Sequence, residues 1–429
     1  MKHILLILTI MLTAAAGQAY SQIGHWEKLK PKNNPGPRQE HGLASIGNKK
    51  ALLFGGYYGD TKNDTWLFDL ETNEWQEIKC KNKPSTRMGF GMVQISEKRV
   101  LLFGGADDSY NMFNDLWCFD LDSMDWHELI PNDSIPVHPA YRAGMAVLNE
   151  NEVLVFGGES NYYFPYLFDN QTFIFNIKEK KWDFKNYMIS NYHVEDPYIT
   201  NFGIDSVLLF GGYNFENSEN EQTRIFYGKQ RKWIGPQVIK PKELRASSGA
   251  IVYIPRGGIA LLFRGLFYYF NKEDRYQDTA WIYIKDNNEW KALNLDYTPP
   301  GRLRNRMTLI DSNKVLLYGG AFKNKHADDT WIFTLDSLKT DVETNPRNHK
   351  NKPYVYLKNK IAIIEHNFIN NFSIIIVSLI GKVVFSKDYL NEGYANQVIN
   401  ISLENELSGV YLLQINAGSE VCTHKLLIN

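Results

Sequence analysis

Only three cysteines, Cys80, Cys118 and Cys422, occur in 429 residues, and an odd, sparse set excludes a disulfide framework as the support of the fold. A single Cys80–Cys118 bridge and two separate thiols buried in sheets both remain open. Charge of one sign is also missing, since 47 Lys and Arg stand against 48 Asp and Glu. Without a basic footprint nucleic acid is not an expected partner, and there is no acidic tail. Long apolar runs are scarce. The run Ile4 to Ala16 is shorter than the roughly 20 residues that span a bilayer. Lys2 and His3 precede it and small residues around Ala19 and Ser21 follow, so residues 1–21 read as a secretory signal peptide. The stretch Phe372 to Ile380 soon turns polar, and no transmembrane segment is expected. Nucleotide loops, zinc signatures and hydrolase elbows are absent. The ten histidines are scattered, so no metal or other cofactor is expected.

What the chain does contain is aromatic residues, with 10 Trp, 25 Tyr and 24 Phe, a composition that suits pleated sheets. Helical candidates are few. A double glycine follows an apolar strand at Gly55-Gly56, Gly104-Gly105, Gly157-Gly158, Gly211-Gly212 and Gly319-Gly320, with Arg264-Gly265 as a sixth copy. The spacings are 49, 53, 54, 53 and 55. In four units a polar loop follows, then an aromatic strand, then a second aromatic nine residues on: Trp66 with Trp75, Trp117 with Trp126, Phe173 with Trp182, Trp281 with Trp290; in the fourth unit Arg224 stands nine before Trp233. Constant spacing predicts a hairpin that brings the two aromatics together. An earlier apolar strand, as in His41 to Ile46, gives four strands per unit.

The double glycine, the aromatic strand and the later Trp, repeated over about residues 25–340, resemble the kelch motif, whose period is about 50. The resemblance implies an all-β fold, a six-bladed β-propeller over residues 22–340. The sixth unit lacks its outer strand, because Thr340 stands nine after Trp331 and no Trp follows. His25-Trp26-Glu27-Lys28-Leu29 reads like an outer strand and is expected to fill the gap, closing the ring and covering an edge.

Residues 341–354 are polar with two prolines and read as a linker. Over 355–429 short strands return, which suggests a small Ig-like β-sandwich. Its Leu379-Ile380-Gly381-Lys382-Val383-Val384, Leu407-Ser408-Gly409-Val410-Tyr411 and Thr423-His424-Lys425-Leu426 resemble the C-terminal sorting domain of type IX secretion. That implies export through the periplasm and the type IX machinery as a partner. A Pro-Asn-Pro often found at the start of such domains is absent.

Loops at the mouth of the propeller channel are the expected site. Arg38, Arg87 and Arg302 each stand 17 residues before their double glycine, Arg142 stands 15 before, and Arg245 stands 19 before position 264. Guanidinium forks at this position suit acidic ligands, whereas a residue repeated in every blade also suits bonds to carbonyls between blades. The fourth unit carries His193, Glu195 and Asp196 instead. Asp64, Asp115, Asp278 and Asp329, just before the aromatic strands, read as turn formers. Tyr57-Tyr58, Tyr162-Tyr163-Phe164 and Phe267-Tyr268-Tyr269-Phe270 offer patches for sugar or protein. The expected function is a secreted or cell-surface module binding a protein or glycan at the mouth. The alternative is a mutarotase resembling kelch sialic-acid epimerases, with Glu195 as its acid; a copper oxidase lacks its ligand cluster.

Overall fold

The computed structural model describes residues 23–428 except 134–136, 139, 161–166, 169–170, 184–186, 188, 190–193, 213–221, 237, 239–243, 245–247, 264, 268–274, 277, 286–287, 323–324, 337–353, 359–360, 367–371, 379–382, 390–396, 404–408 and 418–419. The signal-peptide and linker readings therefore lie outside the described residues, apart from Tyr354. Residues 24–335 form six four-stranded antiparallel sheets, each ordered from the channel outward. Blade 1 comprises Gly42–Ser45, Lys50–Tyr58, Asp60–Asp69 and Glu74–Ile78. Blade 2 comprises Gly91–Ser96, Arg99–Phe103, Leu116–Asp120 and Asp125–Glu128. Blade 3 is Gly144–Asn149, Glu152–Phe156, Thr172–Asn176 and Lys181–Asp183; blade 4 is Tyr198–Asn201, Ser206–Phe210, Thr223–Tyr227 and Lys232–Ile234. Blade 5 is Ala250–Ile254, Ile259–Phe263, Ala280–Ile284 and Glu289–Ala292. In blade 6, Arg306–Asp311, Lys314–Tyr318 and Thr330–Leu335 are completed by Gly24–Leu29 from the start of the chain. Trp26 lies opposite Phe333 and Lys28 opposite Trp331, so the ring closes as the missing outer strand predicted.

Each blade buries both faces, and this explains why its second strand is a continuous apolar run such as Leu52-Leu53-Phe54 or Val207-Leu208-Leu209-Phe210, all fully buried. The core is divided into layers between neighbouring blades. Leu43, Leu53 and Trp75 of blade 1 pack with Leu316 and Tyr318 of blade 6, while Trp26 joins Phe263 of blade 5 and Phe333 of blade 6. Outer-strand tryptophans cross these layers. Trp75, Trp126, Trp233 and Trp290 donate their indole N–H to Thr330, Thr65, Thr172 and Thr223 of the preceding blade, at 2.8–3.1 Å. Trp26 shares its buried cluster with Ala280, which stands at the start of blade 5's third strand where those four meet threonine, and its Nε1 has no hydrogen-bond partner.

The aromatic pairing corrects one expectation, although Phe173 and Trp182, nine apart, do meet edge-on at 6.4 Å. Trp75 lies opposite Phe68, and Trp66 opposite Glu77, so the close cross-strand contact joins residues seven apart. Phe68–Trp75, Phe119–Trp126 and Tyr283–Trp290 centroids are 5.1–5.4 Å apart. Trp66 instead turns its N–H to Asp64. Side chains alternate along a strand, so a nine-residue spacing across this turn falls two positions from the true partner. Cys80 and Cys118 are free thiols, and burial raises both, Cys118 to about 11.

At the C-terminus, Tyr354–Lys358, Ile361–His366 and Gln397–Ser402 form one sheet, and Val383–Tyr389, Phe372–Ser378, Gly409–Ala417 and Glu420–Ile428 a second. Ile364, Ile374, Ile376, Ile401, Leu413 and Ile415 fill the core between them. Alternation in Phe372–Ser378, with Ile374 and Ile376 fully buried and Ile375 partly exposed, is the pattern of a two-layer sheet.

Candidate functional site at the channel mouth

Arg38, Arg87 and Arg302 lie between blades, with side chains 4%, 1% and 0% exposed. Arg87 satisfies all five of its donors internally: Nε to the Ser85 carbonyl, Nη1 to the Gly104 carbonyl (3.0 Å) and Asp115 (2.6 Å), Nη2 to Ser85 Oγ and Asp115 (2.9 Å each). Arg38 grips Gly55 and Asp64, and Arg302 grips Gly319 and Asp329, in the same way. The three aspartates also accept the indole N–H of Trp66, Trp117 and Trp331. Burial alone would raise Asp64 and Asp329, but their arginines hold both below the usual carboxylate range. This clamp ties the double-glycine carbonyl of a blade to the start of its third strand. Blade 3 has Ala140 and Gln171, and blade 4 has Val194 and Gln222, at the Arg and Asp positions, so both members of the pair are replaced together.

Two residues further on stand Glu40, Gly89, Arg142, Asp196, Ser248 and Arg304. All six have positive φ, from 48° to 63°. In this left-handed conformation five of the six direct their N–H to the carbonyl of the equivalent residue in the preceding blade: Gly89 to Glu40 (2.9 Å), Arg142 to Gly89 (2.6 Å), Asp196 to Arg142 (3.0 Å), Arg304 to Ser248 (2.5 Å), Glu40 to Arg304 (3.3 Å). Five backbone bonds thus rim the channel, and at the remaining step the side chains of Ser248 and Asp196 meet. Left-handed backbone costs a non-glycine residue about 1–2 kcal/mol, and such strain marks places where side chains are aimed for a purpose.

The ring's side chains meet in one charged cluster. Glu40, 1% exposed, accepts from Arg142 Nη2 (2.7 Å) and Tyr141 Oη (2.8 Å) and pairs with Arg304 Nη1 (2.9 Å). Arg142 Nη1 donates to Glu195 Oε2 at 2.9 Å, and Ser248 Oγ lies 3.3 Å from Asp196 Oδ2. Burial would raise Glu40, but Arg142 and Arg304 outweigh it and hold the carboxyl down at about 2. Glu195 goes the other way. Burial, with Asp196 and Glu159 nearby, outweighs Arg142 and lifts it to about 8, so this acid keeps its proton at neutral pH.

Above the cluster the loops following the double glycines supply aromatic rings. Tyr58 is 49% and Tyr110 57% exposed; Tyr58 meets His326 edge-on, and Tyr110 meets Tyr141. Beneath it a chamber of about 120 Å³ is bordered by Arg142, Asp196 and Arg306 and by an apolar belt that includes Met92, Met145 and Met307. Of the arginines expected from the sequence, three serve as clamps and Arg142 faces the mouth, while Arg245 and His193 lie outside the described residues, as do most of the aromatic loops of blades 3 and 5. Glu40, Tyr110, Tyr141 and Arg304 were missed. Their signal is positional: Glu40, Gly89, Arg142, Asp196 and Arg304 all stand 15 before their double glycine.

Closed sheets, kelch spacing and this ring define a propeller of the kelch class. Residues 21–190 match the KLHDC2/KLHL20/DRC7 Kelch-repeats domain, and residues 357–429 match the secretion system C-terminal sorting domain. The solved structure of YjhT is similar over 70% of this chain and 96% of its own, at 13% identity and a TM-score of 0.56, a likeness of fold. The chain is a kelch-repeat propeller protein bearing a type IX sorting domain, exported to the cell surface or beyond. Among the described residues no helix is long and apolar enough to cross a membrane.

Proposed function

We propose that the exported propeller is a binding module that holds a protein or glycan ligand at the channel mouth. One observation carries the reading: Arg142, Arg304, Glu40 and Asp196, all in left-handed conformation, concentrate charged groups on the rim, beneath exposed tyrosines. Arg142 is the arginine of the expected set that supports it; Arg38, Arg87 and Arg302 support the blades. A screen of the mature protein against glycans and surface proteins tests the idea, with hits expected to weaken at least tenfold in Arg304→Gln. Hits indifferent to that change would place binding elsewhere.

A sugar mutarotase is the second reading, favoured by a buried Glu195 that retains its proton near pH 7 within 2.9 Å of Arg142, the state a general acid needs. NMR of anomer exchange with sialic acid checks it. Exchange no faster than in buffer, or equal in wild type and Glu195→Gln, removes the enzymatic reading.

A further inference from the structure

Resting on the mouth as the binding site, we infer that it takes an uncharged, hydroxyl-rich ligand, a neutral glycan, and not the acidic ligand that arginines by themselves suggest. Arg142 Nε and Arg304 Nε are both buried without a hydrogen-bond partner. Each lies 3.8 Å from the same oxygen, Asp196 Oδ2, beyond hydrogen-bond length. An oxygen seated among these three groups accepts from two N–H donors and must donate to a carboxylate. A hydroxyl does both. A ligand carboxylate has no proton for Asp196 and is repelled by it, and an ammonium faces two guanidinium groups.

The electrostatics agree. Arg142, Asp196 and Arg306 border the chamber, and Glu40, Glu195 and Arg304 pair with them at the rim, so charges of both signs interleave at close range. The floor offers paired donors and acceptors at short range, as a polyol requires. Tyr58 and Tyr110, about half exposed, add flat apolar faces suited to the apolar side of a pyranose. A protein ligand could bring a single Ser or Thr hydroxyl to this position, but a sugar ring brings several and a face to stack.

The test is calorimetric titration of the full mature protein with two oligosaccharides identical except that a terminal hexose is replaced by its uronic acid, at low and high salt. The neutral sugar is expected to bind at least tenfold tighter, with less than about a twofold change across salt. Asp196→Asn leaves the left-handed backbone to a residue that tolerates it and removes the negative acceptor. It should weaken the neutral sugar by about tenfold and strengthen the uronic acid, a gain that damage to the fold cannot mimic. Tighter wild-type binding of the uronic acid, or an unaltered ranking in Asp196→Asn, overturns the inference while leaving the mouth as the site. Binding of neither sugar, or binding indifferent to both Asp196→Asn and Arg304→Gln, sinks the site reading as well.

Discussion

Arg302 and Arg304 stand two residues apart in blade 6 and have opposite tasks. Arg302, fully buried, holds the Gly319 carbonyl and Asp329 between strands. Arg304, 25% exposed, reaches to Glu40 of the adjacent blade 1. The pairing repeats around the molecule as two concentric systems: a clamp within the blade, the same Arg, Asp and Trp in blades 1, 2 and 6, and a mouth ring whose chemistry differs in almost every blade. Uniformity belongs to the architecture; variety belongs to the part that meets a ligand.

Variants that damage only the clamp or the closure should separate stability from binding. Trp26→Ala removes the ring-closing strand's anchor from between Phe263 and Phe333. A loss of about 4 kcal/mol is expected, read by denaturant unfolding, with unaltered affinity in the folded fraction. A loss below about 1 kcal/mol would mean that closure does not depend on this strand. Arg87→Leu leaves Asp115 partly buried beside Trp117 without its cation and should cost about 3 kcal/mol; an unchanged unfolding midpoint would deny the clamp its role.

The mouth has its own signature with pH. Burial lifts Glu195 from 4.5 to about 8, so between those values the folded protein retains a proton that the unfolded chain has released. Its contribution to stability is full below about pH 4.5 and is lost as pH rises through 8. Glu40 behaves oppositely, since its carboxyl is held down at about 2 and its contribution is lost as pH falls from 4.5 through that value. Glu195→Gln should therefore flatten the decline in unfolding free energy between pH 5 and 8. An identical slope in both proteins would show that Glu195 titrates normally. The smallest effect sharpens the architectural side: Ala280→Thr supplies Trp26 Nε1 with the hydroxyl that four other blades provide, for a gain of about 1 kcal/mol. No gain would mean that the indole is already satisfied.

Blade number and closure were legible because both follow from repetition. Gly55-Gly56 and its double-glycine copies have positive φ, and at Gly56 a Cβ would meet His41 and the Gln39 carbonyl at 2.7 and 2.8 Å, so the signal returns in five of the six blades. The absent partner for Trp331 was legible for the same reason. The mouth was not. Glu40, Gly89, Arg142, Asp196, Ser248 and Arg304 share a backbone conformation and no side-chain chemistry, so a search for a repeated residue finds the clamp and passes over the ring. Arg142, offset by two from Arg38 and Arg87, was the visible trace of it.

The most direct test is the matched pair in blade 6, with unfolding free energy and neutral-glycan affinity measured on Arg302→Gln and Arg304→Gln. Arg302→Gln should lose about 3 kcal/mol of stability and keep its affinity within twofold. Arg304→Gln should keep most of its stability and lose at least tenfold in affinity. The reverse pattern, with binding lost through Arg302 and stability through Arg304, would contradict the division between clamp and mouth.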